Sequence, residues 1–267
     1  GSEQLSVSRR VALGRIRSTP TDMTIGREHH ASVRLHDGRA LVTGGELTPI
    51  PGPLAPAEIY DPTSGAFTSV GEMTSPRAMH SSTTLRSGKV LIAGGFASGA
   101  AVASTELYDP GAPPGARFKA SASMARPRAG HAATLLPSGK VLLTGGCTTP
   151  GNQLIPCEVA DVDSAEIFDP ATEAFEPPLT MPRAFSTHGA VLLEDGSVLL
   201  VDEGDAFLFD PRAKTFTRTS SPPARRDGAT ARVLASGKVF ASGGASVAAD
   251  LYDPGTRTWS ASAEGAL

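Results

Sequence analysis

The chain has 267 residues, of which 40% are hydrophobic and 19% charged, so it is neither a disordered tail nor a coiled coil. Its formal net charge of -3 argues against a nucleic-acid binder, because such proteins present an excess of basic side chains to phosphates. No stretch approaches the roughly 18 apolar residues that a membrane-spanning helix needs. The 29 glycines and 22 prolines indicate many turns, and therefore many short strands.

The N-terminal segment, residues 1–22, precedes a series of repeats. It opens with Gly1-Ser2 and no initiator Met, which indicates residues left by an expression vector. Residues 15–23 end in methionine, as do the last segments of three later repeats. We therefore predict an edge strand in this segment that resembles a fourth strand of a repeat.

Five segments then align without gaps on a glycine in a predicted tight turn. These glycines are Gly38, Gly88, Gly139, Gly196 and Gly237. An apolar, β-rich run lies on each side of the turn, which is the pattern of a β-hairpin. A third run ends in an aromatic residue followed by Asp-Pro, and a fourth run holds a single aromatic residue. Four short strands recurring at this spacing predict an all-β fold, a β-propeller of four-stranded antiparallel blades.

The repeats resemble those of the Kelch family over residues 23 to 262. The resemblance rests on the Tyr/Phe-Asp-Pro turns, on the fourth-strand aromatic residue and on the paired glycines Gly44-Gly45, Gly94-Gly95, Gly145-Gly146 and Gly243-Gly244. It implies one propeller domain, residues 23–267, with blades at about 23–72, 73–123, 124–180, 181–221 and 222–267. We expect a closed five-bladed ring, and part of a six-bladed propeller is the alternative.

Both cysteines, Cys147 and Cys157, lie in one inserted loop of the third repeat. Two free thiols are one interpretation, but cysteines that bracket a single loop favour a local disulfide. A disulfide indicates an oxidising compartment, and the composition also resembles that of exported bacterial Kelch proteins. We therefore expect a secreted, periplasmic or cell-surface protein.

An arginine and a histidine recur ahead of the first strand. Eleven residues before the turn glycine stand Arg27, Arg77, Arg128 and Arg226, and eight before it stand His30, His80, His131 and His188. The resemblance implies that such residues bond strand ends and link blades. One histidine per blade also places these side chains too far apart to share a metal ion. The arginines are nevertheless candidate ligand-binding residues, because a ring of them at the mouth would attract an acidic partner.

The fourth repeat departs most from the pattern. Asp202-Glu203 replaces the paired glycines, and Asp205 follows two residues later. Drift of the repeat is the simplest interpretation, but three close carboxylates also suit calcium or a polar substrate. Asp202 and Glu203 alternate along a strand, so they cannot face each other as a hydrolytic pair.

The loop between the second and third strands varies in length. From the second glycine, or its equivalent, to the third-strand aromatic residue the interval is 15, 13, 22, 6 and 8 residues in the five repeats. In Kelch propellers these loops share a face with the connections between blades. We predict a binding site there, with a raised wall made by 46–57, 96–105 and 147–165 opposite a low side that carries Asp202, Glu203 and Arg226.

These observations favour a non-catalytic, monomeric binding scaffold without a cofactor that recognises a protein or a glycan on the loop face. One alternative is an enzyme acting on a sugar or small polar metabolite, with Asp202, Glu203 and Asp205 as acid–base or metal-binding groups. Another is an inactive module of a larger cell-surface protein. No residue stands out as catalytic, because neither a Ser-His-Asp order nor a zinc-helix motif is evident.

Overall fold

A computed structural model describes residues 22–47, 52–149, 157, 162–225, 228–243 and 249–261. The predicted four-stranded antiparallel sheets are present, one for each repeat, and we name them sheets I to V in chain order. None of the described residues belongs to a helix that is long and apolar enough to cross a membrane. The predicted edge strand before residue 22 lies outside the described residues.

The strands are as follows. Sheet I contains β1 (Ala31–Arg34), β2 (Ala40–Thr43), β3 (Pro56–Asp61) and β4 (Ala66–Glu72). Sheet II contains β5 (Ser81–Thr84), β6 (Val90–Ala93), β9 (Thr105–Tyr108) and β10 (Phe118–Ser121), with the hairpin β7 (Phe96–Ala97) and β8 (Ala100–Ala101) inserted after β6. Sheet III contains β11 (Ala132–Leu135), β12 (Val141–Thr144), β13 (Ser164–Asp169) and an outer strand divided into β14 (Ala174–Phe175) and β15 (Leu179–Thr180).

The last two sheets have the same order of strands. Sheet IV contains β16 (Gly189–Leu192), β17 (Val198–Asp202), β18 (Asp205–Asp210) and β19 (Thr215–Arg218). Sheet V contains β20 (Thr230–Val233), β21 (Val239–Ser242), β22 (Asp250–Asp253) and β23 (Thr258–Ala261). Neighbouring strands in the chain are hydrogen-bonded neighbours within each of these sheets.

The turns have the chemistry that the sequence predicts. In sheet III, Gly139 has a φ of 88°, which only glycine adopts without strain, and its N–H donates to Leu136 O at 2.9 Å. At the Asp-Pro turn, Asp169 Oδ1 accepts a hydrogen bond from Ala171 N at 2.9 Å. The first turn therefore sets the register of β11 with β12, and the second ends β13.

Successive sheets pack face to face. Their first strands are neighbours in the order β1, β5, β11, β16 and β20. Between sheets III and IV, Leu136 and Leu142 of sheet III pack against Val198 and Phe209 of sheet IV in one buried cluster. Corresponding residues form the cores between I and II, II and III, and IV and V. Each sheet thus has a forward face, which contacts the next sheet, and a backward face, which contacts the previous one.

Among the described residues, sheet V is not joined to sheet I in the way that the other sheets are joined to one another. No contact between β20 and β1 matches those that join the other first strands. No buried cluster of the described residues joins sheet V to sheet I either. The structure therefore does not show the closed five-bladed ring that the sequence led us to expect.

Candidate functional site

The connections between sheets and the loops after each second strand meet at one end of the strands, which we call the loop face. Antiparallel bridges join the two kinds of segment in each of the first three sheets. These bridges pair Glu28 with Glu46, Ala78 with Phe96, and Ala129 with Cys147. The loops and the connections therefore form one continuous surface, and the hairpin turns lie at the opposite end of the strands, the turn face.

A hydrogen-bonded collar lies on the loop face, and we define it as His29, Met79, Gly130 and Thr187. The N–H of Met79 donates to His29 O at 2.9 Å, and the N–H of Gly130 donates to Met79 O at 3.0 Å. The N–H of Thr187 donates to Gly130 O at 2.7 Å. One residue from each of four successive sheets is thereby joined to the next, so the collar fixes the relative positions of the sheet-to-sheet connections.

All four collar residues have left-handed backbone conformations. Their φ angles lie between 51° and 60°, with Thr187 at 51° and Gly130 at 60°. A β-branched residue such as Thr187 is uncommon in this region, and the conformation costs about 1–2 kcal/mol. The hydrogen bonds on both sides hold it there. The sequence analysis did not predict the collar, although each of its members directly precedes one of the recurring histidines. Gly130 is the one member whose residue type indicates a left-handed backbone conformation.

Part of the described raised wall lies where sheets II and III meet. Cys147 and Cys157 form the predicted disulfide, with 5.8 Å between their Cα atoms. The bridge packs in one apolar cluster with Ala129, Met79 and Phe96. A Cβ atom at collar residue Gly130 would lie 3.0 Å from Cys157 Sγ. The disulfide, the hairpin β7–β8 and the collar therefore form one packed unit.

Two further contacts complete the described wall. The N–H of Ala101, in the hairpin, donates to Thr148 O at 3.2 Å and so joins the walls of sheets II and III. In sheet I, Nδ1 of the collar residue His29 lies 2.6 Å from Glu46 Oε1. Residues 48–51, 150–156 and 158–161 of the predicted wall lie outside the described residues.

The low side of the loop face belongs to sheet IV. Here β17 and β18 are joined by a two-residue turn, Glu203-Gly204, in which Glu203 has a φ of 49°. Asp202 and Asp205 are paired across this turn. The three predicted carboxylates are therefore close together, beside a short turn where sheets I to III have long loops.

An arginine that the sequence analysis did not single out holds these carboxylates. Arg183 Nη1 donates to Glu203 Oε2 at 3.0 Å, and its Nη2 donates to Asp202 Oδ2 at 3.3 Å. Its Nε lies 3.7 Å from Asp205 Oδ2. Arg218 also bonds Asp205, and Arg225 Nη2 lies 3.9 Å from Glu203 Oε2. Three guanidinium groups thus balance three carboxylates, and we call these six residues the charged cluster.

This pairing bears on the metal hypothesis. Among the described residues, no three His, Cys, Asp or Glu side chains converge in a way that could hold a metal ion. Calcium would have to displace Arg183 from the carboxylates to reach them. Arg226, the arginine predicted on this side, lies outside the described residues.

The other three predicted arginines are inside their sheets. Their side chains form ion pairs with glutamates of the third strand, and all six side chains are at most 1% exposed. The pairs are Arg27–Glu58 at 2.9 Å, Arg77–Glu106 at 2.8 Å and Arg128–Glu166 at 2.7 Å. Nη1 of each arginine also donates to the carbonyl that ends the second strand, as Arg128 does to Gly145 O at 2.7 Å. These guanidinium groups connect strands, and none of them lines the mouth.

Three of the recurring histidines connect neighbouring sheets. Nε2 of His80 lies 2.8 Å from Thr43 Oγ1, and Nε2 of His188 lies 2.8 Å from Thr144 Oγ1. His131 makes the same kind of contact with Ser81 Oγ at 2.8 Å. Burial, reinforced by Arg77, lowers the pKa of His80 to about 3. Burial and Arg183 do the same for His188, so these rings are neutral near pH 7.

No protein-family model matches this chain, and no curated protein is significantly similar to it. The likeness to Kelch repeats therefore rests on the repeat residues quoted above.

Proposed function

We propose that the protein is a non-catalytic binding scaffold, a Kelch-like propeller that recognises a protein ligand on its loop face. The observation that carries this proposal is the shape of that face. The face carries a collar held by backbone hydrogen bonds, a packed wall on sheets II and III and, on its low side, the charged cluster of sheet IV. Loops that a rigid scaffold holds in place are the usual position of binding residues.

The distribution of aromatic residues favours a protein over a glycan. The chain has 14 aromatic residues, and 12 of them are paired with each other within the sheets. Phe96 is the one aromatic residue on the loop face, and it is half-buried in the wall. Small-molecule and sugar sites usually present several aromatic faces. A mixed rim of charges beside an apolar wall is better suited to a polypeptide surface.

The charged cluster supports binding over the enzymatic alternative. An acid–base pair needs carboxylates that are open to substrate, whereas Asp202, Glu203 and Asp205 each contact Arg183. An arginine held at the surface by three carboxylates is a fixed donor for a partner's acidic or carbonyl groups. The enzymatic alternative would require the substrate to replace the contacts of these carboxylates with Arg183.

Export is part of the proposal. The Cys147–Cys157 disulfide joins cysteines 10 positions apart, and such bridges persist in oxidising compartments. A secreted, periplasmic or cell-surface position would expose the loop face to extracellular proteins.

The experiment is a selection of displayed peptides on immobilised protein, followed by affinity measurements with variants. We expect Phe96→Ala and Arg183→Ala to weaken the selected binders at least about tenfold, or about 1.4 kcal/mol. Arg212→Ala, in a turn at the other end of the strands, is the matched control and should bind as the unchanged chain does. Thermal unfolding of each variant verifies that it is folded.

Two results would contradict the proposal. Binders that tolerate both loop-face changes, or that are lost with Arg212→Ala, would move the site elsewhere. A rise in melting temperature with sugars or divalent ions that disappears in Arg183→Ala would favour the enzymatic or calcium-binding alternative instead.

A further inference from the structure

The forward face of sheet V is exposed where the same face of every other sheet is buried. The leucine that follows the first strand is 2–4% exposed in sheets I to IV, whereas its equivalent Leu234 is 39% exposed. In the second strand, Leu142 of sheet III is 1% exposed, and its equivalent Phe240 is only half-buried. The forward face of sheet V therefore has the side chains of a sheet-to-sheet interface, but no sheet packs against them among the described residues.

Sheet V also keeps the glycine that follows the second strand in sheets I to III. A Cβ atom at Gly145 of sheet III would lie 2.3 Å from Phe185 O of sheet IV, so no side chain fits. At the equivalent Gly243, the described atom that lies closest to the Cβ position is Ala229 Cα of its own sheet, 3.6 Å away. Sheet IV, which is followed by sheet V, has Asp202 at this position.

The backward face of sheet I is exposed in a complementary way. The third-strand aromatic residue is 0% exposed in sheets II to V, whereas its equivalent Tyr60 is half-buried. His30 is exposed, although the corresponding histidines of sheets II to IV are at most 9% exposed. In this pattern, His30 would form a hydrogen bond with the hydroxyl of Ser242. Ser242 lies at the end of β21, in the position that Thr43 and Thr144 occupy in their sheets.

We propose that the forward face of sheet V binds the backward face of sheet I of a second copy of this chain. The two faces carry the residues that meet in the four interfaces within the chain. Leu234 and Phe240 on sheet V would pack against Tyr60 of the second copy, and Ser242 would form a hydrogen bond with His30 of that copy. The interface between sheets III and IV, with the Thr144–His188 contact at 2.8 Å, is the template for this contact.

A second copy fits these faces better than the chain's own N-terminal segment does. Each interface within the chain uses an aromatic side chain from the backward face: Tyr108, Phe168, Phe209 or Tyr252. Residues 1–21 contain no aromatic residue and amount to less than half of one repeat. Sheet I of another copy supplies both the aromatic residue and the histidine.

Such a contact is head-to-tail, so each copy has one donor face and one acceptor face free for further growth. Heterologous contacts of this kind form rings if the rotation closes and open chains if it does not. The protein would then be an assembling subunit and not the monomer expected from its sequence.

The test is sedimentation velocity of the whole chain over a concentration series. We expect the mass to rise above the 27.4 kDa of one chain as concentration increases. Leu234→Arg blocks the forward face of sheet V, and Ala40→Arg blocks the backward face of sheet I. Both side chains are already partly exposed, so the variants should fold, and each alone should be monomeric. Arg212→Glu, on the turn face, should assemble like the unchanged chain.

Mixing the two blocked variants decides the geometry. Each still has one intact face, so the mixture should form dimers of twice the monomer mass and nothing larger. A two-fold symmetric contact would not be restored by mixing and would overturn the proposal. A chain that is monomeric throughout would also overturn it, as would a chain that assembles only after residues 1–21 are removed. None of these outcomes depends on Phe96 or Arg183, so the proposed function is tested separately.

Discussion

Sheets III and IV occupy neighbouring places in the run and fill the same internal position with opposite chemistry. Sheet III holds the buried ion pair of Arg128 and Glu166, 2.7 Å apart. At the equivalent positions sheet IV has Phe185 and Phe207, whose rings meet edge to face at 5.6 Å. This internal position is therefore occupied by a buried pair of side chains in both sheets, and the pair can be either oppositely charged or aromatic.

The main chain is the same in both sheets. Arg128 O accepts a hydrogen bond from Gly95 N at 2.9 Å, and Phe185 O accepts the equivalent bond from Gly146 N at 2.6 Å. Backbone hydrogen bonding therefore joins sheet III to sheet II and sheet IV to sheet III in the same way, whichever side chain stands at this position. This agrees with the general finding that well-packed apolar residues replace buried ion pairs with little loss of stability.

Both sheets also have an arginine two residues before this position, Arg126 in sheet III and Arg183 in sheet IV. Arg183 lies two residues before Phe185, with its guanidinium carbon 4.7 Å from the centroid of that ring. Its guanidinium group gathers Asp202, Glu203 and Asp205 at the loop face. The equivalent Arg126 of sheet III pairs with Asp163 at 2.8 Å, so the surface ion pair of sheet III corresponds to the charged cluster of sheet IV, the polar side of the candidate site.

The largest expected effect comes from giving sheet III the chemistry of sheet IV. Arg128→Phe alone leaves Glu166 buried without its cation and should cost about 3–5 kcal/mol of unfolding free energy. The double change Arg128→Phe with Glu166→Phe should recover most of that loss, because it rebuilds the aromatic pair. Urea unfolding measures both. A double variant as unstable as the sum of the single ones would show that the two fillings are not interchangeable.

The disulfide is a second difference between the two sheets, since sheet III has it and sheet IV has no cysteine. Cys147→Ser with Cys157→Ser should lower the unfolding free energy by about 2–3 kcal/mol, the loop-closure entropy of a bridge spanning 10 positions. Thermal unfolding with and without reductant gives the same comparison on the unchanged chain. An equal loss on adding reductant to the double-serine variant would show that the effect is not due to this bridge.

The buried histidines are common to both sheets and predict a shared pH dependence. The pKa of His188 is about 3 when folded and near 6.5 when unfolded, so the unfolded state binds more protons below pH 6.5. Stability should therefore be full above pH 6.5 and fall by about 1.4 kcal/mol per pH unit for each such histidine as pH decreases toward 3.

His188→Gln isolates this contribution, because the amide can still bond Thr144. The variant's stability should fall less steeply between pH 6.5 and 4, by about one proton, in urea unfolding across that range. Ser138→Gln, which changes a side chain that does not titrate at an exposed turn, is the control and should leave the slope unchanged. An unchanged slope in His188→Gln would mean that this ring already takes up a proton in the folded protein.

The smallest effect is expected from restoring the paired glycines of sheet III in sheet IV. Asp202→Gly with Glu203→Gly removes three ion pairs, those of Arg183 with Asp202 and Glu203 and that of Arg225 with Glu203. The arginine of each pair is partly exposed, and such pairs contribute about 0.5 kcal/mol each. The variant should fold and lose at most about 1–2 kcal/mol in urea unfolding. Failure to fold would show that the acidic pair is a structural requirement of sheet IV.

Local patterns predicted much of this molecule. The turn glycines, the Asp-Pro turns and the alternating apolar runs predicted five four-stranded antiparallel sheets, because each depends on residues close together in the chain. The disulfide was predictable for the same reason. The positions of the arginines were not, because whether a guanidinium faces a mouth or a buried carboxylate depends on a third strand some 30 residues away, as with Arg77 and Glu106.

The sequence by itself determined the strands, their register and the Cys147–Cys157 bridge, since these follow from turn chemistry and short-range patterning. Only the tertiary structure decided the collar, the partnership of Arg183 with three carboxylates and the exposure of Leu234. Leu234 has the same sequence context as four buried leucines, and burial depends on which sheet lies next to it. Contacts between distant segments carry no local signature, and here those contacts make the candidate binding surfaces.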